Sequence, residues 1–199
     1  MKTRQQVLSE YRRTEILNAA RMVFAREGFE RGMIETIAQE AGIAKGTVYL
    51  YFRSKQEIFR AVLHHDMREL TQQTIHSIEA ASSLREKLRS FILVRLKNAE
   101  ARKDFFRIMD SEQRNLTMTR SQYRDFLRDP VHLIALAIEA AVQTGEIKPV
   151  PCEKVAWMLA DSIRGVIQRR LLGTNDSTLT EDADFLTAFF WASLKNFSI

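Results

Sequence analysis

The stretch from Met33 to Lys55, MIETIAQEAGIAKGTVYLYFRSK, leaves the chain few ways to fold. Ile34, Ile37, Ala38 and Ala41 recur at i, i+3, i+4, i+7, which predicts a short helix over Ile34–Glu40 with one buried stripe. Gly42 follows where a chain leaving a helix turns left-handed, a conformation glycine adopts at little steric cost. A second helix is predicted from Lys45 to Phe52. Val48 and Phe52 share its inner face, Gly46 and Leu50 point the other way, and Thr47 and Tyr49 flank them. An outward face of glycine, hydroxyl, phenol and leucine suits contact with a surface better than contact with water. Two such helices across a three- or four-residue turn form the helix-turn-helix pattern, whose second helix enters the DNA major groove. Periodicity alone also allows an ordinary helical hairpin in a bundle.

Charge separates these readings further. The net charge is +5, and residues 1–60 hold 11 Lys and Arg against 7 Asp and Glu, whereas the remainder holds 19 against 18. The positive excess therefore sits with the helix-turn-helix, as expected of a DNA-reading head on a near-neutral body. A single cysteine, Cys152, rules out an internal disulfide. The opening MKTRQQVLSEYRR lacks the apolar run of a signal peptide, and the apolar segment Pro130–Val142 is broken by Glu139 and too short to span a bilayer. A cytoplasmic protein with no membrane partner is expected.

The rest of the chain reads as helix throughout, about nine helices in total, so the fold class is all-α. Met1–Glu10 reads as a polar, basic arm, followed by a helix over Tyr11–Glu27 that Gly28 ends. Ile16, Val23, Phe24, Ile37, Ala38, Val48 and Phe52 form the predicted core of the head. Ser54, with Glu57 three residues on, is predicted to cap a long helix reaching Ala80, which begins in the head and ends in the body. Further helices are predicted over Ser83–Lys103, Phe105–Arg114, Thr119–Thr144 with Pro130 kinking or restarting it, Cys152–Leu172 and Glu181–Asn196. The last two carry apolar residues on more than one face, which calls for a partner beyond their own body.

The segment AGIAKGTVYLYFRSKQEIF, preceded by a helix ending in REGFE, closely resembles the DNA-binding domain of the tetracycline-repressor (TetR) family over about Thr14–Leu63. Met33 and Ala44 depart from the pattern, standing where side chains that cap the second and third helices are common; each lost cap is typically worth ~1 kcal/mol. The resemblance implies a DNA-binding domain over residues 1–54 and a ligand-binding and dimerisation domain over 55–199. It also implies a transcriptional regulator, a repressor that binds an inverted-repeat operator on double-stranded DNA as a homodimer. The DNA-contact candidates are Thr36, Lys45, Gly46, Thr47, Tyr49, Leu50, Tyr51 and Lys55. Among them Gly46 allows close approach, and Leu50 suits a thymine methyl.

The family's last two helices pair with their copies in a second subunit. The interface candidates are accordingly Trp157, Ile163, Gly165, Val166 and Ile167, with Phe189 and Phe190 from the final helix. For a small-molecule effector, apolar or aromatic in character, the candidates are Phe91, Phe105, Phe106, Met109, Met118, Tyr123 and Phe126, with His132 and Trp157 as polar anchors. A constitutive or protein-partnered DNA-binding factor is the competing class.

Enzymatic readings are thin. His64-His65-Asp66 is the one cluster suggestive of a metal-dependent hydrolase. The chain has only four histidines, and His64 and His65 diverge by about 100° on a helix. Cys152 stands at a helix start, where a thiolate can be favoured. No Gly-rich phosphate loop or Ser/His/Asp arrangement is present. No cofactor, metal or catalytic residue is expected.

Overall fold

A computed structural model describes residues 3–103 and 120–197, the side chains of residues 120–127 excepted. The described residues form eight helices and no strand: α1 Arg4–Arg31, α2 Ile34–Glu40, α3 Lys45–Tyr51, α4 Lys55–Glu79, α5 Leu84–Ala101, α6 Arg120–Gln143, α7 Cys152–Leu171 and α8 Leu179–Asn196. The helix expected at Phe105–Arg114 lies outside the described residues. Two compact units emerge, one of residues up to 68 and one of 69–103 with 120–197, and their boundary falls within α4.

In the first unit α1 starts earlier than its apolar periodicity indicated. The Thr3 side chain accepts from the Gln6 backbone and the Gln6 side chain accepts from that of Thr3, a reciprocal cap that opens the helix at Arg4. The basic arm is thus helical from Arg4 onward. Near the other end Gly28 sits at φ 82°, a left-handed conformation that breaks the helix before the turn Phe29–Arg31. This turn drops Phe29 into the core, where its ring meets Phe59 at 5.0 Å and Phe24 at 5.7 Å. All seven predicted core residues of the head are buried, joined by Ile58, Phe59 and Val62 from α4.

α2 and α3 are held from the side rather than from their ends. Neither Met33 nor Ala44 makes a side-chain capping bond. Ile37, Ala38 and Val48 bury the inner faces instead. Between the two helices Gly42 takes φ 65°, letting Ile43 N–H reach back to the Ala38 carbonyl at 3.0 Å. The α4 start follows expectation in part: Ser54 Oγ accepts from Glu57 N–H at 3.1 Å, while the Glu57 carboxylate takes the Arg53 N–H at 2.7 Å. Further along α4, Asp66 is buried and accepts from two donors on one edge of the Arg21 guanidinium, with Nε–Oδ2 at 3.1 Å and a close Nη2–Oδ1 contact. Bidentate pairing of this kind offsets the cost of burying the carboxylate.

The second unit is a helical body. Reciprocal caps at Ser83/Glu86 and Thr178/Glu181 start α5 and α8. Its core runs through Leu84, Leu88, Phe91 and Ile92 of α5, Ile134 and Ile138 of α6, Leu159 and Ile163 of α7, and Leu186 and Phe190 of α8. Pro130 lies buried inside a continuous α6 and does not restart it. Arg170 ties the α7–α8 connection by donating to Asp182 at 2.8 Å and to the Ser177 carbonyl at 2.6 Å.

Candidate functional site

The outward face of α3 is apolar where a solvated helix would be charged. Leu50 is 83% exposed, Tyr49 is also exposed, and Thr47 and Tyr51 are half-buried at the flanks. A Cβ built on Gly46 meets nothing within 4 Å, so the glycine answers no packing need of its own chain. Lys45 pairs with Glu35 of α2 and lies 5.8 Å from the Tyr49 ring centre, linking the two helices along this face. The Lys45 ammonium holds the Glu35 carboxyl below the usual carboxylate range, chiefly through their hydrogen bond. Thr36 is half-buried on α2. Lys55 donates from Nζ to the Glu30 carbonyl at 2.8 Å and sits 4.7 Å over the Phe29 ring. An ammonium has three donors, so this bond anchors the Lys55 stem and leaves protons for a phosphate.

The effector candidates do not gather into one described cluster. Phe105, Phe106, Met109 and Met118 lie outside the described residues, and Tyr123 and Phe126 belong to α6 with side chains outside the description. Phe91 is fully buried core, Trp157 is half-buried against that core, and His132 is exposed.

Beside Phe91 stands a residue that the sequence pattern places on the apolar stripe of its helix without assigning it a role. Arg95 is only 8% exposed, and its guanidinium carbon lies 3.8 Å from the Phe91 ring centre. Among the described residues its one hydrogen bond runs from Nη1 to Thr74 Oγ1 at 3.4 Å, beyond the usual range, and no carboxylate pairs with it. Burial pushes the Arg95 pKa down to about 9, which leaves it charged at neutral pH. Burying an ion costs several kcal/mol. A desolvated cation–ring stack returns about 2 kcal/mol, so the charge is under-compensated within the chain. Asn98, one turn on, is buried too.

The pairing candidates divide by helix face. Ile163, Val166 and Phe190 are buried in the chain's own core, where their side chains already have neighbours. Trp157 and Ile167 are half-buried, and Gly165 and Phe189 are exposed. The outer face contains Met158, Gly165 and Leu172 at seven-residue intervals, alongside Phe185 at 70% and Phe189 at 60% exposure. Seven-residue spacing is the period of paired helices. Met158, Leu172 and Phe185 are not among the interface candidates drawn from the sequence, because hydrophobicity alone does not tell the inner stripe from the outer. A Cβ on Gly165 likewise meets nothing within 4 Å.

On α4 the sequence places His64, His65 and Asp66 side by side. Asp66 is engaged by Arg21, and among the described residues no three His, Cys, Asp or Glu side chains could hold a metal ion. Cys152 donates to the Val150 carbonyl at 3.3 Å, and burial pushes its thiol pKa up, which disfavours a thiolate. Among the described residues no helix is long and apolar enough to cross a membrane.

Residues 16–62 match the family model described as bacterial regulatory proteins, tetR family. The fatty acid metabolism regulator protein of Bacillus subtilis is 26% identical over 168 residues, covering 83% of this chain and 80% of that protein. Among solved structures, the transcriptional regulator FadR of Bacillus subtilis in complex with stearoyl-CoA superposes with a TM-score of 0.80 at 20% identity, covering 93% of this chain and 99% of that one. A TetR family transcription regulator from Marinobacter aquaeolei gives a TM-score of 0.72 at 23% identity, covering 96% and 98%.

Proposed function

We propose that this chain is a transcriptional regulator of the tetR family, which represses transcription as a homodimer on an inverted-repeat operator and is released by a small molecule with a large apolar part. Residues 1–54 read the DNA, and residues 55–199 bind the effector and the second subunit. The observation that carries the DNA reading is Leu50, almost bare on α3 beside the unobstructed Gly46. Leu50 meets a thymine methyl, Thr47, Tyr49 and Tyr51 meet base edges or phosphates, and Lys45 and Lys55 supply charge to the backbone. Met158, Gly165, Phe185 and Phe189 support the pairing of α7 and α8 with their copies. Similarity to a regulator crystallised with stearoyl-CoA supports an effector with a long apolar portion. Effector binding acts through α4, the helix in which the boundary of the two units falls. Turning a 99:1 population over requires the effector to prefer one state by ~5.5 kcal/mol.

The test is binding of the full chain to inverted-repeat fragments from beside its gene, at several salt concentrations, with and without apolar compounds. Lys55→Ala should lower the slope of log affinity against log salt by ~1 on every sequence. A chain that binds these fragments no better than random duplex is not an operator reader. If it binds but no compound releases it, the constitutive class is correct.

A further inference from the structure

Resting on the effector reading above, we propose that the body binds its effector through an anionic group, a carboxylate or a phosphate, held by Arg95 with Thr74 and Asn98 beside it. Three features of one face of α5 and its neighbour converge on this. The Arg95 guanidinium is more than nine-tenths buried, stacks on Phe91 and has no carboxylate partner among the described residues. The contrast within the same chain is direct. The buried Asp66 receives a two-pronged Arg21, and Arg102 near the end of α5 meets Glu69 at 2.6 Å. The protein therefore supplies carboxylates to its other buried or half-buried guanidiniums on this helix system and withholds one from Arg95.

The fork geometry strengthens the assignment. A guanidinium presents paired N–H donors that match the two oxygens of a carboxylate or phosphate, and stacking on Phe91 fixes its plane. Thr74 Oγ1 donates to the Leu70 carbonyl at 2.7 Å, so its hydroxyl hydrogen is used within α4 and its lone pairs face Arg95. Thr74 thus orients the guanidinium without neutralising it. Asn98, also 8% exposed and one turn along α5, has no side-chain hydrogen bond among the described residues and adds an amide donor on the same face. Three polar side chains beside the apolar residues of α5 form an anion receptor, and an effector of long apolar body with one acidic head suits both parts.

The experiment measures dissociation constants of the full chain for dodecanoate, methyl dodecanoate and monododecyl phosphate. Wild type should bind one or both anions about tenfold or more tighter than the ester, the worth of a charged hydrogen bond. The better of the two anions identifies the head group. Arg95→Met should bring the anion-to-ester ratio close to one. Arg95→Gln, which keeps a partner for Thr74, should do the same and serves if the methionine variant does not fold. Equal affinity of wild type for all three probes, or binding of none, overturns the proposal, as does an anion preference that survives both substitutions. Release of an inverted-repeat DNA fragment is read separately. Anion preference without release refutes the regulatory reading and upholds the site; release by the ester with no anion preference does the reverse.

Discussion

Leu50 in the head and Arg95 in the body break the same rule in opposite directions. The head leaves a large apolar side chain in water, and the body hides a charge from it. Each is an unfinished interaction, but the missing partner differs in kind. Leu50 and Gly46 define an outer surface, so what completes them is large and approaches from outside. Arg95 is enclosed, and the partner proposed for it is a small anionic group. The head also contains a buried charge, Asp66, and completes it internally through Arg21. Burial of charge is therefore not in itself a sign of function; what sets Arg95 apart is burial without a counter-charge among the described residues.

The sharpest way to break this comparison is to add charge to the apolar surface of the body. Phe185→Asp with Phe189→Asp should separate the subunits in sedimentation and lower operator affinity ~10²-fold or more, since two linked heads lose their joint hold. A variant that stays paired would place the outer seam elsewhere and leave these phenylalanines unexplained.

Next come the two buried charges, compared by urea unfolding without ligand. Asp66→Asn should cost about 3 kcal/mol, because it strands the Arg21 guanidinium. Arg95→Met should be neutral or stabilise by about 1 kcal/mol, because it removes an under-compensated charge. If the two substitutions cost the same, the contrast between a completed and an unfinished charge fails.

The bare residues of α3 should behave oppositely to a core. Leu50→Ala should leave stability within ~0.5 kcal/mol while reducing discrimination at one base pair by about 1 kcal/mol. Gly46→Ala and Gly165→Ala should each leave the single chain intact or gain up to ~1 kcal/mol of helix stability. The first should then weaken DNA binding and the second subunit pairing. Gains without those losses would show that neither glycine faces a partner.

The smallest effect concerns Lys45 and Glu35. The pair holds Glu35 below its ordinary pKa, so its stabilisation is present above that ordinary value and is lost as pH falls through the lowered one. Lys45→Met should lower the unfolding midpoint slightly at neutral pH and leave it unchanged below that window, so that the acid limb of the profile becomes shallower.

The head was legible because its constraints are local. Gly42, the Ile37-Ala38 pair and Val48 specify a turn and two faces within a span short enough for spacing to decide. What was missed there was equally local: Thr3 and Gln6 carry the spacing of a reciprocal cap, and reading them would have started α1 at Arg4. The body was legible as helices but not as faces. Ile163 and Val166 point into the core and Met158 and Gly165 out of it, yet all lie on one helix with apolar residues all round. Which stripe turns inward depends on neighbours far away in sequence. Arg95 did leave a signal, standing four residues after Phe91 and seven after Leu88 in a run whose inward positions follow that spacing.

The seven-residue length of α2 and of α3, with no side-chain cap on either, has a consequence for how the head searches DNA. Helices below ~12–15 residues are marginal in isolation, so both persist only while their inner faces stay docked. Their amides should exchange with solvent by local opening, sooner than those in the middle of α1. If α3 reads the groove as proposed, such a head scans non-cognate duplex with that helix intermittently loosened and tightens where the groove supplies a matching surface. Part of the affinity for the right sequence is then consumed in that ordering, which lengthens residence on the operator less than the contacts alone would suggest.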